Sequence, residues 1–148
     1  MSGALNSKQG FVYIEDNPAD VKLFRLALNE AKLDCDLTVL EDGFEAQTFI
    51  RKQGEYLARA VPDLIVMDWH LAGASSEEVL RMMRSNLDFA DVPVVILTSG
   101  FSSLSNRAMD QFQISLYITK PSDLDDFLKI GTVLKELLNE ERLNDGPM

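Results

Sequence analysis

The residues of this chain suited by type and spacing to moving a phosphoryl group are the adjacent Glu15 and Asp16, Asp68 after an apolar run, Thr98 followed by Ser99, and Lys120 before Pro121. Three carboxylates gathered in one place repel one another and are tolerable only around a cation. With oxygen ligands, one cysteine and one histidine in the whole chain, Mg²⁺ or Mn²⁺ suits the set better than zinc. Lys120 would add a second positive charge, and a divalent metal, an ammonium and a hydroxyl around one carboxylate make a phosphoryl site. The turn after the first apolar run, EDNPAD, carries neither G-x-x-x-x-G-K-[ST] nor G-x-G-x-x-G, which disfavours a bound nucleotide. A carboxylate can instead attack phosphorus itself and carry an acyl phosphate, and Asp68 is the one placed centrally.

These side chains can meet only if the chain brings them to one edge. FVYIE (11–15) is a short β-branched and aromatic run, and Asn17-Pro18 then starts a helix that runs to about Ala31. CDLTVLE (35–41) alternates Cys35, Leu37 and Val39 with Asp36, Thr38 and Leu40, a strand with one face better buried. FEAQTFIRKQ (44–53) has helical spacing, and GEYLARAVPD is a loop or continued turn closing at Pro62. DLIVMD (63–68) and VPVVILTS (92–99) are uninterrupted apolar runs, as inner strands of a parallel sheet require. Between them, SSEEVLRMMRSNL opens with a capping box from Ser75 to Glu78 and reads as a crossover helix, with Met82 and Met83 as packing residues. ISLYIT (114–119) is the last strand, and Ser122-Asp123 starts one long helix to about Arg142. On that helix Ile130 and Val133 fall off the Leu124-Phe127-Leu128-Leu134 stripe, a sign of a partner surface.

Five strands alternating with five helices imply an α/β fold: a doubly wound five-stranded parallel sheet in the flavodoxin-like order 2-1-3-4-5, with helices on both faces. Ligands bind such sheets outside the carboxyl ends of the strands, at the switch point. Glu15, Asp16, Asp68, Thr98 and Lys120 all fall at strand ends.

Composition limits the alternatives. At 148 residues, 46% hydrophobic and 26% charged, the chain reads as one soluble globular domain. A net charge of −10 repels phosphate backbones and anionic membranes, so neither nucleic acid nor membrane is an expected partner. Cys35 stands alone; it cannot make an internal disulfide and reads as a small core hydrophobe. With no signal segment and no membrane span, a cytoplasmic location is expected.

Glu15-Asp16, Asp68 after an apolar strand, Thr98 with small Ser99, and Lys120-Pro121 together resemble the receiver domain of two-component response regulators, from Phe11 to about Arg142. Thr98 lies 30 residues after Asp68, and Lys120 22 after Thr98, spacings that also fit that family. The resemblance implies that Asp68 is the phosphoacceptor, taking a phosphoryl group from a histidine kinase. It implies that Asp16, Asp68 and the backbone carbonyl of His70 hold Mg²⁺, or Mn²⁺, with Glu15 acting through a water. Thr98 would swing to bond the phosphoryl group, the Ser99 backbone N–H would assist, Lys120 would pair with it, and Tyr117 would be the aromatic switch. Such a protein is not an enzyme beyond self-catalysed phosphotransfer and slow autodephosphorylation. EDNPADVKLFRLAL and the long IRKQGEYLARAVPDL connection are similar to the small regulators paired with phytochrome-type kinases.

On this reading residues 1–10 and 143–148 are tails and 11–142 the receiver. Only 28 residues follow Lys120, too few for an output domain, so signalling would pass through phosphorylation-dependent protein contacts. A homodimer through the fourth-helix, fifth-strand and fifth-helix face is expected. The alternative is a degenerate receiver-fold module that binds partners without phosphorylation. A dehalogenase-type phosphatase would want a second Asp where His70 stands, and a flavin module lacks its phosphate-binding turn. Two departures bear on the acceptor loop: Ala72 stands where the family usually has proline, and Ser76 where it commonly has glycine. His70 reads as an exposed loop residue or as a side chain that alters water access to the acyl phosphate, and Trp69 as a packing or partner contact.

Overall fold

The computed structural model describes residues 9–52, 56–57, 60–99 and 106–144. In chain order these form β1 (Gln9–Ile14), α1 (Pro18–Glu30), β2 (Cys35–Leu40), α2 (Gly43–Ile50), β3 (Leu64–Met67), α3 (Ser76–Ser85), β4 (Val94–Thr98), α4 (Asn106–Gln111), β5 (Leu116–Thr119), α5 (Leu124–Leu128) and α6 (Ile130–Asn144). The strands make one sheet in the order β2-β1-β3-β4-β5, and every neighbouring pair is parallel. The expected sheet order is present.

The sheet, α2, α3 and α4 belong to one compact unit, and α1, α5 and α6 to a second. In the sheet unit, Val12, Ile14, Ile65, Met67, Val94 and Ile96 share a cluster with Ala46, Phe49 and Ile50 of α2 and Val79, Leu80 and Met83 of α3. Both β3 and β4 are buried at every position, which is why their sequences carry no alternation. α3 starts with the expected capping box, Ser75 accepting from the Glu78 N–H and Glu78 from the Ser75 N–H. Arg84 near its end donates to the carbonyls of Phe112 (2.9 Å), Val92 (2.9 Å) and Ala90 (3.1 Å), tying α3 to the turn before β4 and the connection before β5.

In the second unit α1 begins at Pro18 and buries Phe24, Ala27 and Leu28. Gly131 lets α6 approach α1 closely: a Cβ there would lie 2.1 Å from the Ala27 carbonyl oxygen.

Three expectations need correction. The long C-terminal helix is broken at Lys129, whose N–H closes α5 on the Asp126 and Phe127 carbonyls. Lys129 keeps a helical backbone, and Ile130 follows buried Phe127 by three residues and is buried with Leu134 and Leu138 at four-residue intervals, while Leu124 is exposed. Ile130 therefore belongs to no separate outward stripe. On β2 only Leu40 is buried; β2 is an edge strand, and it enters the core at its carboxyl end. Cys35 at the opposite end is only half-buried, not a core residue. α4 had no signal the sequence could locate, and the segment preceding it, 100–105, lies outside the described residues. So do 1–8 and 145–148 of the expected tails, and 53–55 and 58–59 of the long connection.

Candidate functional site

Parallel register brings the strand ends together. Ile14 pairs with Met67, Met67 with Ile96, and Thr98 with Thr119. The ladder continues one residue beyond: the Asp68 N–H donates to Ile14 O (3.1 Å), the Glu15 N–H to Leu40 O (2.9 Å) and the Lys120 N–H to Thr98 O (2.8 Å). Three ionisable side chains are thereby fixed at one edge by backbone hydrogen bonds.

Their side chains form a connected set. Thr98 Oγ1 donates to Asp68 Oδ1 at 2.6 Å, and the His70 backbone N–H donates to the same oxygen at 2.9 Å. Lys120 Nζ lies 2.6 Å from Glu15 Oε1 and 3.3 Å from Asp68 Oδ2. The Lys120, Glu15 and Asp68 side chains are 8%, 2% and 13% exposed, so the carboxylates face an ammonium in a largely dry setting. Glu15 also accepts from the Tyr13 hydroxyl (3.3 Å) and the Asn17 N–H (3.2 Å).

The two carboxyls are pushed in opposite directions. Burial raises Glu15 above the usual carboxylate value; hydrogen bonding and charge from Lys120 oppose the rise without cancelling it, and the negative Asp68 adds to it. Burial also acts on Asp68, but Thr98, the His70 N–H and Lys120 together outweigh it and hold that carboxyl below its usual value. Asp68 is thus kept anionic, the form in which an oxygen can attack, while Glu15 is the group readier to take a proton.

Asp16 is exposed in the turn after β1, Ser99 is exposed just past β4, and His70 is exposed in the loop after Asp68. Tyr117 is half-buried and, like Trp69, packs against the sheet cluster. Among the described residues no three His, Cys, Asp or Glu side chains gather as a metal cage; the cation between Glu15 and Asp68 is Lys120. The set still suits Mg²⁺ or Mn²⁺, which keep several waters and need only one or two carboxylates. Asp68 stands at the end of β3 and Asp16 two residues past the end of the adjacent β1, so both carboxylates belong to the same end of the sheet.

Sequence reasoning missed what holds the loop after Asp68. Ser76, buried at the first position of α3, donates from Oγ to the Asp68 carbonyl at 3.0 Å and also to the Trp69 carbonyl. The Gly43 N–H donates to Ala72 O at 2.9 Å, and a Cβ on Gly43 would lie 1.9 Å from Ala74 O. Gly73 supplies a positive φ of 77°. The glycines were visible in the sequence, but their role depends on a contact between α2 and the loop that no local pattern reveals.

A model of the response regulator receiver domain matches residues 11–131. The chain belongs to this family. Response regulator Rcp1 of Synechocystis sp. is 32% identical over 130 residues, 88% of each chain. The Mn²⁺-bound crystal structure of Rcp1 superposes with a TM-score of 0.76 at 31% identity, covering 86% of this chain and 91% of that one. The phosphorylated cyanobacterial phytochrome response regulator RcpA gives a TM-score of 0.80 at 28% identity, covering 89% and 94%. The receiver resemblance, the fold and the likeness to phytochrome-associated regulators therefore hold. No helix among the described residues is long and apolar enough to cross a membrane.

Proposed function

We propose that this receiver accepts a phosphoryl group on Asp68 from the phosphohistidine of a sensor kinase, of the phytochrome type. The observation that carries the reading is the Asp68 carboxylate itself: central, anionic, and bonded at once to Thr98, the His70 N–H and Lys120. An Asp68 oxygen attacks phosphorus, the P–N bond breaks, and the departing imidazole takes up a proton. Lys120 and Thr98 then bond the phosphoryl oxygens in place of the carboxylate, assisted by the Ser99 N–H, and Tyr117 follows Thr98 as the switch. Mg²⁺ bound by Asp16, Asp68 and the His70 carbonyl, with Glu15 reached through a water, would neutralise charge on the transferring group. The protein is a cytoplasmic signalling component that turns over no substrate of its own. Its state is read by protein contacts, self-association among them, as phosphorylation shifts a two-state equilibrium.

The test is incubation with Mg²⁺ and acetyl phosphate, followed by intact mass and size-exclusion measurement. One phosphoryl group should appear on the wild type and none on Asp68→Asn. An unmodified wild type that still binds its partners would mean a degenerate receiver-fold module.

A further inference from the structure

Ser76 stands where the family commonly has glycine, and its side chain is 2% exposed. It has one hydroxyl proton and two acceptors in reach, the carbonyls of Asp68 and Trp69. The Trp69 carbonyl shares a planar peptide with the His70 N–H, so fixing one fixes the direction of the other. That N–H is the one that donates to Asp68 Oδ1 at 2.9 Å. Oδ1 thus has two donors, Thr98 and His70, and Oδ2 is left to Lys120.

We infer that Ser76 is a positioning residue for the acceptor: its hydroxyl clamps the Asp68 and Trp69 carbonyls, aims the His70 N–H at Asp68 Oδ1, and so sets which carboxylate oxygen faces Lys120. The clamp takes over the stiffening that proline at Ala72 would give. Because Ser76 also begins α3, its hydroxyl ties the loop after Asp68 to the start of that helix. The inference rests on Asp68 as acceptor only for its effect on phosphorylation; the clamp itself is observable in the metal-free, unphosphorylated protein.

The experiment compares wild type with Ser76→Ala and with Ser76→Gly, the second relieving any packing strain and serving if the first does not fold. Amide hydrogen exchange is followed by NMR without metal, and phosphorylation by acetyl phosphate with Mg²⁺. In both variants the His70 amide should exchange roughly tenfold faster while Met83, at the far end of α3, keeps its rate, the loss of about one net hydrogen bond. Phosphorylation should slow several-fold, with recovery in Ser76→Thr, which keeps the hydroxyl. Unchanged His70 exchange, or an equal rise at His70 and Met83, overturns the clamp. A wild type that takes no phosphoryl group yet shows selective His70 deprotection in the variants retains the clamp and removes the acceptor reading.

Discussion

Replacing Lys120 by Met, a chain of similar length without charge, should convert a stabilised pair of carboxylates into a buried conflict. Glu15, 2% exposed, loses an ammonium 2.6 Å away, and Asp68 loses one at 3.3 Å. Removing one partner of a buried ion pair costs about 3–5 kcal/mol. The loss must also depend on pH. Without Lys120, burial and the Asp68 charge act on Glu15 with less opposition, so its already raised pKa rises further. An acid whose pKa is higher folded than unfolded binds more protons when folded, and stability falls as pH rises through that window. Urea unfolding in EDTA should therefore show a deficit of at least about 3 kcal/mol at about pH 8. It should shrink by up to about 1.4 kcal/mol per pH unit across the window as pH is lowered towards 4.5, the ordinary glutamate value. Adding Glu15→Gln to Lys120→Met should recover most of the deficit at high pH. A deficit below about 1 kcal/mol, the range of a solvated pair, or one equal at both pH values, would refute the view that Lys120 neutralises a buried Glu15.

Thr98→Val keeps the shape but removes the 2.6 Å hydrogen bond to Asp68; urea unfolding near neutral pH should show a loss of about 1.5–3 kcal/mol, and a carboxyl-carbon NMR titration should move Asp68 upward from its depressed pKa. Gly43→Ala places a Cβ 1.9 Å from Ala74 O, and thermal unfolding should report a loss of about 1–3 kcal/mol from overpacking. Arg84→Lys keeps the charge but cannot span the Phe112, Val92 and Ala90 carbonyls; denaturant unfolding should lose about 1–3 kcal/mol.

Legibility in the sequence followed the range of the interaction. β3 and β4 were readable because both faces of each are buried, leaving uninterrupted apolar runs, and α3 because its capping box is closed within Ser75–Glu78. Asp68, Thr98, Glu15 and Lys120 were readable because a parallel sheet places consecutive strand ends at one edge, whatever lies between. The break at Lys129 was not, since nothing in Lys129-Ile130-Gly131 forbids a continuous helix; the buried row is Phe127-Ile130-Leu134-Leu138, and only packing shows that Leu124 lies outside it. Alternation puts Leu40 on the face of Asp36 and Thr38, opposite Cys35, Leu37 and Val39, yet it alone is buried, because alternation sorts faces and does not say which end of an edge strand meets the core. Ser76 looked like a mere departure from the family pattern; its hydroxyl acquires a role only where the chain folds back onto the Asp68 and Trp69 carbonyls.

The ion pair between Glu15 and Lys120 joins residues 105 positions apart, and Lys120 reaches Asp68 across 52. Contacts of such sequence separation close late in folding, because chain entropy must be overcome before they are rewarded. During synthesis Glu15 and Asp68 emerge well before the lysine that neutralises them. A chain cut before β5, or caught with that strand undocked, holds two carboxylates without their ammonium. The Glu15–Lys120–Asp68 set is thus complete only when β5 has docked beside β4, so its electrostatics report on closure of the whole sheet from β1 to β5.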